Sequence, residues 1–209
     1  MILIKHQTLI GELIMNVLSE WEKAQVYERE WHSSCANSYQ EESKQITYAQ
    51  RMGLNLENRN GRYPVIDFKG QKVIDIGGGP YSLLLKGINL IGTVVDPCDY
   101  PQWTKDRYKA AGIEFIQAKG EDYKDGQYDV GLIYNCLQHV ENPKKVIQNM
   151  LKMCDIIYLH EWLDTPISDG HIHTIKEKDL NKWLGGQGMI GYERWSDTVT
   201  TPYYAGVFV

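Results

Sequence analysis

A glycine triplet stands between an acid and a proline in Asp75-Ile76-Gly77-Gly78-Gly79-Pro80. The apolar, β-branched run before it, residues 72–76, suits a buried strand. Glycine has no Cβ, so such a turn lets the backbone approach a ligand closely. The apolar Leu83-Leu84-Leu85 run that follows predicts a helix start. Its free N–H groups would point at the same place. Asp96 lies nineteen residues after Gly77, at the end of a second apolar run, Thr93-Val94-Val95. An acid at that tip can accept hydrogen bonds from both ribose hydroxyls of a nucleoside.

Other reactive side chains recur where apolar runs stop. Lys119, Glu121 and Asp122 follow residues 114–117, and Asn135 and His139 follow residues 129–134. His160, Glu161 and Trp162 close the run 156–160. An unperturbed imidazole titrates near neutrality and suits proton acceptance at working pH. His139 is therefore the leading base candidate, or an orienting group for an acceptor; the alternative is a packed, inert histidine. His160 and Glu161 are the other catalytic candidates, since two titratable groups beside an indole exceed what packing requires. A metal site can be drawn from His160, Glu161, His171 and His173, but their spacing matches no established site, and no metal is expected.

These tips need a sheet to hold them. Strands are predicted over residues 72–76, 92–95, 114–117, 129–134 and 156–160, with helices from Pro101 to Gly112, from Pro143 to about Met153, and from Thr174 to Leu184. Asp99 is a candidate cap for the first of these helices, and Thr174 with Glu177 for the last. Strands alternating with helices imply a mostly parallel sheet covered on both faces. Two final strands, 188–195 and 203–209, are joined by about seven residues, too few for a parallel crossover, so that pair is antiparallel. Before residue 60 the pattern is helical. Leu9, Leu13, Ile14, Val17, Leu18 and Trp21 recur at helical spacing, and Ser19 with Glu22 and Ser38 with Glu41 fit capping boxes. Gly53 stops the second helix, and residues 58–64 read as a polar linker. The chain divides into an N-terminal helical cap, 1–64, and a core, 65–209. The cap is either edge packing or a lid with Trp31, His32, Tyr39 or Tyr48 facing a ligand.

The 209 residues suffice for one α/β domain with a real core. A net charge of −5 argues against a polymeric nucleic-acid substrate, which calls for a basic surplus. Four cysteines without paired metal spacing point to reduced thiols and a cytoplasmic setting. No run reaches ~18 uncharged apolar residues, so no membrane span or membrane partner is expected. Six Trp and fourteen Tyr supply core area and can also line a small-molecule pocket. Homodimer formation is left open.

Asp75-Ile-Gly-Gly-Gly-Pro resembles the first motif of class I S-adenosylmethionine (SAM)-dependent methyltransferases, and Asp96 resembles their second. The resemblance runs over residues 65–209. It implies an α/β, Rossmann-like three-layer sandwich, with a mostly parallel seven-stranded sheet in the order 3-2-1-4-5-7-6 and a terminal antiparallel pair. It implies SAM as cofactor, S-adenosylhomocysteine as product, and methyl transfer to an oxygen or nitrogen of a small-molecule, sugar-like or pendant acceptor. Asp75 would hold the cofactor's ammonium, often through water, unless it is a structural turn acid. Gly77, Gly78 and Gly79 would form the turn around the cofactor. Asp96 would bind ribose, Pro97 would flank adenine, and Asn135 would lie where the methyl points. The family often has an Asp where Lys119 stands, so Glu121 or Asp122 would meet the adenine amino group, with Glu121 preferred. Tyr81 occupies the place of a usual third glycine. Glu121, Glu141 and Glu161 together suit a neutral or cationic acceptor.

Two other readings compete. A nucleotide-dependent oxidoreductase would need G-x-G-x-x-G, but Ser82 stands at the third glycine. A non-catalytic SAM-binding protein would show an occluded or featureless acceptor side, and the clustered His160, Glu161, His171 and His173 argue against it.

Overall fold

The computed structural model describes residues 18–33, 38–59 and 63–209. The helical pattern of Leu9 to Val17 lies outside them. Eight strands form one sheet: β1 (Leu56–Arg59), β2 (Tyr63–Ile76), β3 (Gly87–Asp96), β4 (Glu114–Gln117), β5 (Tyr128–Tyr134), β6 (Cys154–Trp162), β7 (Met189–Arg194) and β8 (Thr200–Phe208). The helices are α1 (Glu20–Trp31), α2 (Ser38–Arg51), α3 (Gln102–Ala110), α4 (Pro143–Met153) and α5 (Glu177–Leu184).

The strand order is β4-β3-β2-β5-β6-β8-β7, with β1 added antiparallel to β2. β2 through β6 pair in parallel; β8 runs antiparallel to both β6 and β7. The expected α/β sheet with its antiparallel finish is present. The eighth strand is an addition, and its last two residues, Asn58 and Arg59, fall in the segment read as a linker. β2 is also nine residues longer than expected at its start, running from Tyr63 rather than Lys72. Lys69 and Gly70, at φ 54° and 87°, shift the register between Asp67 and Gln71 and interrupt the apolar pattern that would have revealed the strand.

Side chains alternate across a strand, so β2 feeds two cores. Ile74 and Ile76 face Val146, Ile147 and Met150 of α4 and Leu180 of α5. Val73 faces the opposite layer with Tyr108 of α3 and with Tyr48, Ala49 and Met52 of α2. The second N-terminal helix therefore helps to cover one face of the sheet.

The helix expected after the glycine turn is absent. Gly79–Tyr81 and Leu83–Lys86 are two single 3₁₀ turns separated by an extended Ser82 (ψ 144°). Ser82 is held extended from both sides: its hydroxyl donates to Asp75 at 2.5 Å and accepts from the Leu84 N–H at 3.0 Å. α2 packs on the face that such a helix would have covered.

Elsewhere the local signals hold with small changes. Ser19 and Glu22 form a reciprocal capping box on α1, and Asn142 caps α4 with Pro143 in its first turn. Pro101 and Lys176, with no side-chain cap, precede α3 and α5; Asp99 instead pairs with Lys105, and the Thr174 hydroxyl donates to the Thr165 carbonyl. No helix among the described residues is long and apolar enough to cross a membrane.

Candidate active site

The carboxyl ends of β2, β3, β4 and β5 open into a cavity of about 260 Å³, and α1 and α2 supply its far wall. Open α/β sheets hold ligands at this edge, where the strand order reverses. The reversal here lies between β2 and β5.

Gly77, Gly78 and Gly79 form the floor. Gly77 sits at φ 73°, and a Cβ there would lie 2.6 Å from Cys136 Cβ. A Cβ on Gly78 would lie 2.7 Å from Asp75 Oδ2. Any side chain at either position would collide with the exit of β5 or with the acid beneath the turn. The turn is tied down from behind: the Gly77 N–H donates to the Val95 carbonyl at 2.8 Å, and the Tyr108 hydroxyl donates to the Gly79 carbonyl.

Asp96 lines the cavity at the tip of β3. Its two oxygens accept from the Gly79 N–H at 3.1 Å and the Cys98 N–H at 2.9 Å. Burial pushes its carboxyl up to about 6 against those two donors. Each oxygen keeps acceptor capacity for a further donor, such as a hydroxyl. Pro97, Glu121 and Asn135 line the same cavity. Glu121 accepts from the Asn142 N–H at 2.9 Å, which fixes the carboxylate against the start of α4. Asn135 adopts φ 50°, a conformation asparagine tolerates better than most residues. Its N–H donates to the His160 carbonyl, and its side chain accepts from Gln138.

His139 also faces the cavity. Its Nδ1 lies 2.8 Å from the Gly170 carbonyl and 3.2 Å from Glu28 Oε1 of α1. Burial opposes charge on this imidazole, yet the Glu28 hydrogen bond and charge outweigh it and raise its pKa. α1 touches the strand ends at further points. Trp21 lies under the Lys119 ammonium, 3.8 Å from ring centre to nitrogen, and the Cys98 thiol donates to Gln25 at 3.1 Å. From the N-terminal helices, Trp31, His32, Lys44 and Gln45 line the cavity as well. Gln45 Oε1 and His32 Nδ1 are buried with no hydrogen-bond partner among the described residues.

The methyltransferase domain family matches residues 74–155. That span holds the glycine turn, Asp96, Glu121, Asn135 and His139. The match covers 82 of the 209 residues. Solved structures agree on the fold. A magnesium protoporphyrin IX methyltransferase from Synechocystis PCC 6803, with bound SAM, superposes with a TM-score of 0.54 at 15% identity, over 92% of this chain and 99% of that one. A 1,6-didemethyltoxoflavin-N1-methyltransferase from Burkholderia thailandensis gives 0.58 at 14% identity, over 92% and 90%. The cyclase SpnF gives 0.52 at 15%, over 73% and 58%. Comparison with curated proteins finds no match.

Three residues expected at the site of the methyltransferase domain lie outside its cavity. Asp75 is fully buried beneath the turn, where its Oδ2 accepts from both Ser82 and Tyr134. Burial raises its pKa to about 7. His160 is fully buried among rings, stacked at 4.4 Å on Tyr48 and 5.2 Å on Tyr203, with Arg51 at 3.4 Å from Nε2. Burial first, and the Arg51 charge second, lower its pKa to about 3. A neutral imidazole packed in that way takes no proton near neutrality and does not line the cavity. Glu161 is buried too, and its Oε1 accepts from the Cys136 and Leu137 N–H groups at 2.8 Å each. It clamps the loop leaving β5 instead of facing the cavity. Strand alternation and the tuck of the β5 loop, not residue type, decide which of these tip residues face the cavity.

The metal set that could be drawn from His160, Glu161, His171 and His173 is dispersed. His171 stacks edge-on against His139 at 4.8 Å, His173 contacts the Glu141 carbonyl, and His160 lies in its ring stack. No group of three or more His, Cys, Asp or Glu among the described residues is placed to hold a metal. Of the four lid candidates, Trp31 and His32 line the cavity, Tyr48 is in the core beside His160, and the Tyr39 side chain lies outside the described residues. Glu28, Gln25, Gln45 and Tyr100 were not singled out from sequence. Glu28 stands in a charge-rich run whose helical face could not be assigned without the partner surface.

Proposed function

We propose that the chain transfers a methyl group from SAM to an oxygen or nitrogen of a small-molecule acceptor, beneath the N-terminal helices acting as a lid. The observation that carries this reading is one cavity shared by the glycine floor, the Asp96 carboxylate and the Glu28–His139 pair. The residues fit the donor. Gly77 and Gly78 have no room for side chains, Asp96 keeps acceptor capacity for ribose hydroxyls, and Gln45 Oε1 offers an unpartnered acceptor for an ammonium. When bound, SAM supplies a methyl on a sulfonium, already activated for transfer. The protein's part is then placement and exclusion of water, which contributes up to about 7–11 kcal/mol in well-oriented reactions.

Glu121 and Pro97 would flank adenine, and Asn135 and His139 would face the methyl and the acceptor; all four line the one cavity. His139 is the one imidazole among the three catalytic candidates' positions that reaches the cavity, so it takes the base role. For a hydroxyl acceptor, His139 Nε2 would take the proton as the oxygen attacks. The bound donor would supply the methyl carbon and keep the C–S electron pair on sulfur, leaving as S-adenosylhomocysteine. Asp75, His160 and Glu161 act behind the site, holding the turn, the β6 end and the β5 loop. A titratable pair on the acceptor side also separates this reading from a non-catalytic SAM-binding protein.

The test is calorimetric titration with S-adenosylhomocysteine and, separately, with NAD. Micromolar binding of the former is expected, weakened at least tenfold in Asp96→Ala, consistent with about 1.5–3 kcal/mol per hydrogen bond to a charged group. NAD binding without S-adenosylhomocysteine binding would overturn the proposal.

A further inference from the structure

The Glu28–His139 contact joins two parts of the chain that the methyltransferase domain alone does not contain together: His139 lies within residues 74–155 and Glu28 on α1. Both side chains are mostly enclosed, at 17% and 20% exposure. The proton arrangement follows from the partners. The Gly170 carbonyl and the Glu28 carboxylate only accept, and both face Nδ1, so Nδ1 carries the hydrogen. The lone pair of the neutral ring is then on Nε2. The Gln138 amide nitrogen lies 3.4 Å from Nε2, a long contact that suits that tautomer and that an acceptor hydroxyl would displace.

Other titratable groups surround the pair; from the tip of β3, the Asp96 carboxyl and Glu28 share a repulsive field. From α1, His32 lies 3.7 Å from Glu28. From the loop after β6, His171 packs edge-on against His139 at 4.8 Å and the Gly170 carbonyl accepts from it. From β6, the Glu161 carboxyl adds a weaker field behind the β5 loop. The same loop touches α1 directly: a Cβ on Gly170 would come within 3.0 Å of the Tyr27 ring and 3.1 Å of Glu28 Oε1. Gly170 therefore allows α1 to seat closely enough for Glu28 to reach His139.

Resting on the methyl-transfer reading, we infer that Glu28 is the positioning residue for a base at His139, so that the base is complete only while α1 is seated over the site. Glu28 and the Gly170 carbonyl together fix the Nδ1–H tautomer and aim Nε2, and Glu28 supplies the negative charge that holds the imidazolium formed when an acceptor gives up its proton. Glu28 lies seven residues after Trp21, on the helix that also carries Trp21 against Lys119 and Gln25 against Cys98. Covering the cavity and arming the base are thus one movement of one helix. The acceptor class that needs this device is a hydroxyl, which must lose its proton to attack.

The experiment is a histidine NMR titration of the full chain, with the His139 resonance assigned through His139→Gln, and calorimetry with S-adenosylhomocysteine on the same samples. In Glu28→Gln, which keeps the shape and loses the charge, the proton affinity of His139 is expected to fall at least tenfold, while S-adenosylhomocysteine binding changes less than about threefold. Glu28→Asp keeps the charge and is expected to recover part of the affinity. A His139 titration unmoved by Glu28→Gln would overturn the inference. A shifted titration in a wild-type protein that binds no S-adenosylhomocysteine would uphold the Glu28–His139 assignment and remove the methyl-donor reading instead.

Discussion

Replacing Glu161 by glutamine should flatten the pH dependence of stability. The Glu161 carboxyl is fully enclosed, and burial lifts its pKa from 4.5 to about 7 despite two backbone N–H donors. A carboxyl raised on folding binds its proton more tightly in the folded chain than in the unfolded one. Its contribution is therefore fully present below pH 4.5 and is lost as pH rises through about 7. At 1.36 kcal/mol per unit, the difference corresponds to about 3 kcal/mol in total, of which roughly 2–3 kcal/mol falls between pH 5 and pH 8. Glutamine keeps an oxygen for the Cys136 and Leu137 N–H groups and does not titrate. Its absolute stability can differ from wild type, because its amide group meets the space of Glu161 Oε2, which has no partner among the described residues. The quantity to measure is therefore the change in unfolding free energy from pH 5 to pH 8, by urea denaturation without ligand, in both proteins. Asp75 and Asp96, raised to about 7 and about 6, contribute with the same sign in both and cancel in the comparison. A wild-type loss equal to that of Glu161→Gln would refute the reasoning. It would mean that the two N–H donors, not burial, dominate the carboxyl.

Two further predictions concern the turn. Gly77→Ala combines a left-handed backbone with a Cβ 2.6 Å from Cys136 Cβ, whereas Gly53→Ala has φ 82° but nothing within 4 Å. Urea denaturation should show a loss of about 1–2 kcal/mol for Gly53→Ala and about 1–3 kcal/mol more for Gly77→Ala; equal losses would contradict the close approach. Tyr134→Phe removes a hydroxyl that donates to Asp75 and accepts from the buried Leu83 N–H at 2.9 Å. It should lower stability by about 1–3 kcal/mol in the same assay, and an unchanged midpoint would show that water replaces the hydroxyl.

Much of this protein could be read along the chain because its signals are local. A strand that stops at three glycines, an acid at the tip of the next strand, and a Pro143 that opens a helix each need only neighbouring residues to act. The antiparallel finish followed in the same way, from a connection too short to cross over. Asp96, Pro97, Glu121, Asn135 and His139 came out lining one cavity because they sit at successive carboxyl ends of parallel strands.

Tertiary structure decided the rest. Asp75, His160 and Glu161 have the residue types of a reactive site, but which way a tip residue faces depends on the pleat and on what packs against it. His160 is enclosed by Tyr48, Tyr203 and Arg51, all distant from it in sequence, and by Trp162 two residues along the same strand face. The missing helix after the glycine turn depended on Ser82 finding Asp75, and the added strand β1 on pairing with an extension of β2 that a bulge had hidden. The Glu28–His139 pair spans 111 residues, from α1 to the exit of β5. Sequence supplied a carboxylate in a charge-rich helix and an imidazole at a strand tip. Only the packing of α1 against the loop at Gly170 brings them within 3.2 Å, because no local rule links a helix face to a strand end that far along the chain.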